Sequence, residues 1–219
     1  MEPKFTPIDL KAWPRTQEYE FFSKIVPLSC SLSVDLDVTK MRANLREQKI
    51  VFFPAFVWVM TKSLNNLIEF RTTDNDGVTG YWDFLNPMYP VLHDDDKSIS
   101  MIWTEYDDSF KIFYDRFNKN TEKYGSVHGF FAQTDNMPPP NCYPITHLPW
   151  MDFKHFAFHL DVNRPHLPSF AVGKVTEKNG KFNMPFSVNS AHSFTDGWHI
   201  NHFLENLQDN MDNPETFKL

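Results

Sequence analysis

Val188-Asn189-Ser190-Ala191-His192-Ser193-Phe194-Thr195-Asp196-Gly197-Trp198-His199-Ile200 changes its periodicity halfway along. It begins as a strand and crosses a short connection. After Gly197 it reads as a helix, with Trp198, Ile200, Phe203, Leu204 and Leu207 in a mostly helical apolar period. A strand that hands over to a helix through His-x-x-x-Asp-Gly suits chemistry. The strand fixes the histidine, and the glycine lets the chain turn closely beside it.

Upstream, Phe170 to Val175 and Phe182 to Val188 flank Lys178-Asn179-Gly180-Lys181, and Asn-Gly between apolar runs predicts a hairpin. Phe153, Phe156, Phe158, Leu160 and Val162 read as an irregular strand, and Pro138-Pro139-Pro140 as a rigid loop. Phe110, Phe113, Tyr114 and Phe117 place a helix within Asp107–Tyr124. Short strands are expected at Val78–Trp82 and Ser98–Trp103, the first after an Asp74–Gly77 turn, and a long apolar helix over Ala55–Phe70 with Pro54 in its first turn. Cys30, Leu32, Val34, Leu36 and Val38 alternate with polar residues as a strand with one buried face, and Thr39 opens a short helix. Before them lies an extended opening, Phe5 to Arg15, then a helix from a capping Thr16 to about Pro27. No repeat or linker divides the chain. The expected fold is one domain over residues 1–219, α/β with α+β character: a two-layer sandwich of a mixed β-sheet covered by helices.

Composition narrows the function. The formal net charge of −7, without a Lys/Arg block, argues against nucleic acid as a partner. No run of about 18 apolar residues stands anywhere, and the first residues lack a signal-peptide pattern, so neither membrane nor secretion is expected. Two cysteines are too few for a disulfide framework, and a cytoplasmic home is the simplest reading. With 22 Phe, ring-lined cavities are expected.

His192 to Gly197 followed by Trp198-His199 resembles the His-His-x-x-x-Asp-Gly-Phe-His signature of the chloramphenicol acetyltransferase family. Further likenesses follow in order from about Phe5 to about Gln208. They are Asp9-x-x-x-Trp13-x-Arg15 with Glu20-Phe21-Phe22, then Phe53-Pro54-Ala55-Phe56 and Glu69-Phe70-Arg71. Trp103-Thr104-Glu105-Tyr106, Thr146-His147-Leu148-Pro149-Trp150 and Met184-Pro185-Phe186-Ser187-Val188 continue the series. The resemblance implies a homotrimer with sites between subunits, in which acetyl-CoA, as co-substrate, acetylates a small alcohol within a ternary complex.

Such chemistry needs a base for a weakly acidic hydroxyl, and histidine is the natural choice. The resemblance makes His192 that base and Thr146 the donor to the developing oxyanion. It pairs Asp196 with Arg15 as support of the site. Trp150 and Lys174 fall where the family binds CoA, and Phe22, Leu28, Cys30, Ile99 and Ala171 where it lines the acceptor cavity. Some positions depart from the pattern: Ala191 replaces the first histidine of the pair, Phe22 lacks a tyrosine hydroxyl, and Ala171 and Pro144 alter the acceptor side.

Other readings compete. Cys30 and Cys142 have no basic neighbour to make a nucleophile. His155 and His159 on a strand would stand about 13 Å apart, too far for one ion. His199 and His202 have no completing ligand, and His93-Asp94-Asp95-Asp96 reads as a solvated loop, so no metal is expected. A non-catalytic relative that binds small molecules or CoA is the remaining alternative.

Overall fold

The structure is a computed structural model and describes residues 2–158 and 166–219. Its spine is the longest strand, β10 (Lys181–Ala191), which pairs antiparallel with β2 (Ser29–Asp37) on one side and β8 (Ser169–Val172) on the other. The sheet continues through β7 (Cys142–His147) and β5 (Asn86–Leu92) to β6 (Ile99–Trp103). β7 runs parallel to both β5 and β8, whereas the remaining pairs are antiparallel, so the sheet is mixed as expected. The Asn-Gly hairpin forms, with Asn179 and Gly180 at φ 55° and 76°, and joins β9 (Thr176–Lys178) to β10.

Alternation gives the sheet two unlike faces. Tyr143, Ile145, Phe170, Val172, Phe186 and Val188 share one, and all are fully buried. Helices cover it: α2 (Thr39–Glu47), α3 (Phe52–Asn65), α4 (Phe110–Tyr124) and α5 (Gly197–Asp212). α3 is apolar nearly all round and buried from Pro54 to Thr61, as a central helix must be. Phe56 of α3 and Phe203 of α5 meet Phe186 at 6.0 and 6.2 Å between ring centroids. The opposite face carries Cys142, Pro144, Thr146, Ser169, Ala171, Ser187 and Asn189. No helix of the described residues is long and apolar enough to cross a membrane.

Several local expectations fail for identifiable reasons. Thr16 does not cap its helix. Arg15 occupies that position, and the Thr16 hydroxyl, already inside α1 (Thr16–Glu20), donates to the carbonyls of Leu10 and Trp13. α1 then loosens into a π-turn over Phe21–Ile25. The long helix begins at Phe52 and stops at Asn65, whose amide exchanges hydrogen bonds with the Leu85 backbone; Ile68–Arg71 is a separate 3₁₀ turn. The strand expected from Phe153 is absent as far as Phe158; Leu160 and Val162 lie outside the described residues. The segment instead crosses the helix-free face, held by side chains: Ser187 donates to the Phe156 carbonyl at 2.7 Å and Ser33 bonds His155 Nδ1 at 3.0 Å. Leu32 was expected on a buried face and is 43% exposed, at a strand that forms the edge of the sheet. A second sheet, β1 (Phe5–Pro7), β4 (Val78–Trp82) and β3 (Thr72–Asn75), was not foreseen beyond β4.

Phe203, fully buried between Phe70, Phe170 and Phe186, binds α5 to the sheet. Phe203→Ala should destabilise the fold by about 3–5 kcal/mol in urea unfolding, through lost burial and the cavity left behind.

Candidate active site

β10 ends at Ala191, and the chain folds back at once. The amides of Phe194 and Thr195 both donate to the Ala191 carbonyl, at 3.0 and 3.1 Å. The Thr195 hydroxyl donates to Ser190 Oγ at 2.7 Å, and Ser193, Phe194 and Thr195 are all buried. This tight turn leaves His192 half-buried at its apex, its own amide bonded to the Leu28 carbonyl at 3.1 Å. Asp196 then caps α5, accepting from the amides of Trp198 and His199.

The His192 ring is held on two sides. Its Nδ1 lies 2.9 Å from the Thr195 carbonyl oxygen. A carbonyl only accepts, so Nδ1 carries the hydrogen, and in the neutral ring Nε2 carries the lone pair. Phe22, presented by the π-turn, packs against the ring at 4.1 Å between centroids. Leu28 and Cys30 sit beside it, where β2 pairs with the end of β10. The geometry offers one directed base in an apolar surround.

Asp196 does not engage that ring. Arg15 lies 3.1 Å from its Oδ2, and His199 Nδ1 lies 2.9 Å from its Oδ1. Burial pulls the Asp196 pKa upward, but the Arg15 hydrogen bond and the two helix amides together hold it below the usual carboxylate range. The carboxylate is 35% exposed, so the pair is worth closer to the ~1 kcal/mol of a surface ion pair than to a buried one. His199, weighed above as a metal candidate and part of the family signature, completes the capping box of α5. Its histidine at the third helical position is the signal that could have revealed this. His202 stacks instead on Trp198, at 5.3 Å. His155 bonds Ser33, and His159 lies outside the described residues.

The other expected site residues lie elsewhere. Thr146 pairs with Ala171, which pairs with Ser187, five residues before His192. Thr146 is therefore two strands away, about 10 Å across the sheet and about 16 Å along it from His192. Beyond Thr146, Leu148 donates to the Val172 carbonyl and Lys174 to the Met151 carbonyl, both at 2.8 Å. These bonds bring the exposed Trp150 and Lys174 onto adjoining segments. Ile99 opens β6 at this same end, and Ala171 is fully buried. One chain thus carries two groups at opposite ends of its sheet. Arg15, Phe22, Leu28, Cys30, His192 and Asp196 form the first; Ile99, Thr146, Trp150, Ala171 and Lys174 form the second.

Burial raises the thiol pKa of Cys30, aided by the Asp196 charge, and burial alone raises that of Cys142. Both stay protonated at neutral pH, which suits neither for attack. Among the described residues, the group spaced for a metal ion is His93, Asp95 and His128. Sequence reading took His93–Asp96 for a solvated loop because nothing local pointed to His128.

The sequence matches the chloramphenicol acetyltransferase family over residues 3–208. It is 32% identical to a chloramphenicol acetyltransferase of Clostridium perfringens, over 98% of both chains. It is 31% identical to one of Staphylococcus aureus, over 98% of this chain and 99% of the relative. The solved structure of a chloramphenicol acetyltransferase superposes with a TM-score of 0.85 at 19% identity, covering 94% of this chain and 99% of that one.

Next to Thr146, His147 stacks on Phe53 at 4.3 Å, and burial depresses its pKa from 6.5 to about 4. Between those values the unfolded chain holds a proton that the folded chain does not, so stability falls as pH drops from about 6.5 to about 4 and levels off below. Urea unfolding across that range should lose about 2–3 kcal/mol from this group. His147→Phe should flatten that part of the profile.

Proposed function

The chain belongs to the chloramphenicol acetyltransferase family and is an acyltransferase, and we propose that it carries the acetyl group of acetyl-CoA to a hydroxyl of chloramphenicol or a related small alcohol. In this reading it acts as one domain over residues 1–219, in the cytosol, as an antibiotic-inactivating enzyme. The observation that carries it is the bond from His192 Nδ1–H to the Thr195 carbonyl, which leaves Nε2 to accept a proton.

An alcohol attacks a thioester poorly until its proton has somewhere to go. His192 Nε2 takes that proton as the oxygen–carbon bond forms. The Thr146 hydroxyl donates to the carbonyl oxygen as it gains charge. His192 then returns the proton to the sulfur as the carbon–sulfur bond breaks. No bond to the protein forms at any stage, and the protonated thiols of Cys30 and Cys142 agree with direct transfer. Arg15 and Asp196 fix the turn that aims His192, without touching the substrate. An exposed indole and an exposed ammonium at Trp150 and Lys174 suit a ligand with a purine ring and phosphates, so acetyl-CoA fits the second group. Acetyl-CoA supplies the activated acetyl.

Within one chain, His192 and Thr146 are too far apart to meet on one substrate. We therefore infer a homotrimer in which the first group of one copy faces the second group of the next. The exposed Phe21, Ile25, Val26 and Leu32, grouped along the segments that frame His192, supply apolar surface for such a contact. Phe22 offers the acceptor an aromatic face and no hydroxyl, and Ala171 and Pro144 also narrow hydrogen bonding on that side, so the preferred alcohol need not be the antibiotic itself. The comparisons do not favour a non-catalytic binding protein.

Thiol release from acetyl-CoA in the presence of chloramphenicol and a panel of other alcohols measures the activity. His192→Ala should lose at least about 100-fold in kcat. Thr146→Ala should lose about 10²–10³-fold, from the missing oxyanion donor. Refolding the two inactive variants together, one to one, should restore about a quarter of the wild-type activity, since random mixing gives that fraction of sites an intact residue from each neighbour. An inert mixture would refute shared sites, and an undiminished His192→Ala would refute the base.

A further inference from the structure

We propose that His93, Asp95 and His128 form a binding site for a divalent transition-metal ion of the zinc class, at the turn between β5 and β6. One ligand atom of each residue lies within 4.8 Å of the others. Two ligands bound at about 2.1 Å to one ion stand at most about 4.2 Å apart, so closure needs the ligand atoms to draw in and one ring to turn. Two imidazoles and a carboxylate form a donor set that favours zinc, cobalt or nickel over magnesium or calcium.

The argument rests on how His93 is held. It is 5% exposed, and its Nε2 lies 2.7 Å from Ser100 Oγ. Ser100 donates its one hydrogen to the Val127 carbonyl at 2.8 Å, so it must accept from His93. Nε2 therefore carries the hydrogen, and Nδ1 keeps its lone pair. A histidine whose far nitrogen is tied to a fixed acceptor is the usual outer arrangement of a metal ligand.

The other two ligands are free to adjust. His128 stacks on His93 at 4.0 Å and 18°, with its Nε2 3.3 Å from Asp95 Oδ2 and its Nδ1 3.2 Å from Asp96 Oδ2. An ion lies in the plane of each ring it binds, so loading rotates the half-exposed His128 out of the stack. Asp95, 71% exposed, moves with it. Lys97 pairs with Asp94 at 3.3 Å and leaves the other two carboxylates of the turn available. The ion would clip the β5–β6 turn to the stretch after α4, where Met101 already pairs with the backbone of Phe130 and Ala132.

The test uses the full, tag-free protein, stripped with chelator and titrated with Zn²⁺ by calorimetry and Co²⁺ by visible absorption. Saturable uptake of one ion per chain is expected, with cobalt bands of a nitrogen-ligated site. His128→Ala and Asp95→Asn, both at exposed positions, should weaken it at least about tenfold while keeping acetyl transfer and the circular dichroism of the parent. The proposal is overturned if the parent takes up no saturating ion. It is equally overturned if both variants bind as tightly as the parent, which would assign the ion to other histidines.

Discussion

A backbone carbonyl can accept a hydrogen bond but never give one, and that asymmetry governs the end of β10. The Thr195 oxygen obliges His192 to place its hydrogen on Nδ1, so the opposite nitrogen is basic. The oxygen is where it is because Thr195 and Phe194 both return their amides to Ala191, and because Asp196 immediately starts α5. Buried Ser190 and Thr195 tie the turn together from beneath. No side chain is needed to select the tautomer. The carboxylate that stands closest in sequence is left to cap a helix and hold Arg15.

The sheet extends this local order to the whole chain. β10 fixes His192 at one end, and the parallel β7–β8 pair fixes Thr146 two strands across and well along the other way. Helices fill one face, whereas the other is partly crossed by a strap held through Ser33, Ser187 and His155. What the sheet does not do is bring His192 and Thr146 of one chain together. Its strand register sets them apart by a fixed vector.

Much of this was legible in the sequence. The Asn179-Gly180 turn, the His192-to-Asp196 turn and the helices over Ala55 and Phe110 carry strong local signals, because each depends on residues close in the chain. β3, β5 and β7 went largely unread: β5 and β7 pair with each other from distant parts of the chain, β3 is joined to β4 by a tight turn but is polar throughout, and the prolines of β5 and β7 blur the period of two. The Phe153–Phe158 segment has the apolar pattern of a strand but spends its backbone on serine side chains. Leu32 alternates correctly and is still exposed, since alternation records which face a residue takes and not whether anything covers it. The His93–His128 pair, 35 positions apart, leaves no spacing to read.

If neighbouring copies share their sites, the fixed distance between His192 and Thr146 has a genetic meaning. Each polypeptide then serves two cavities, so a single copy damaged at both ends silences two of a trimer's three. In a cell making both versions, the faulty gene product would act as a dominant poison rather than as a passive loss.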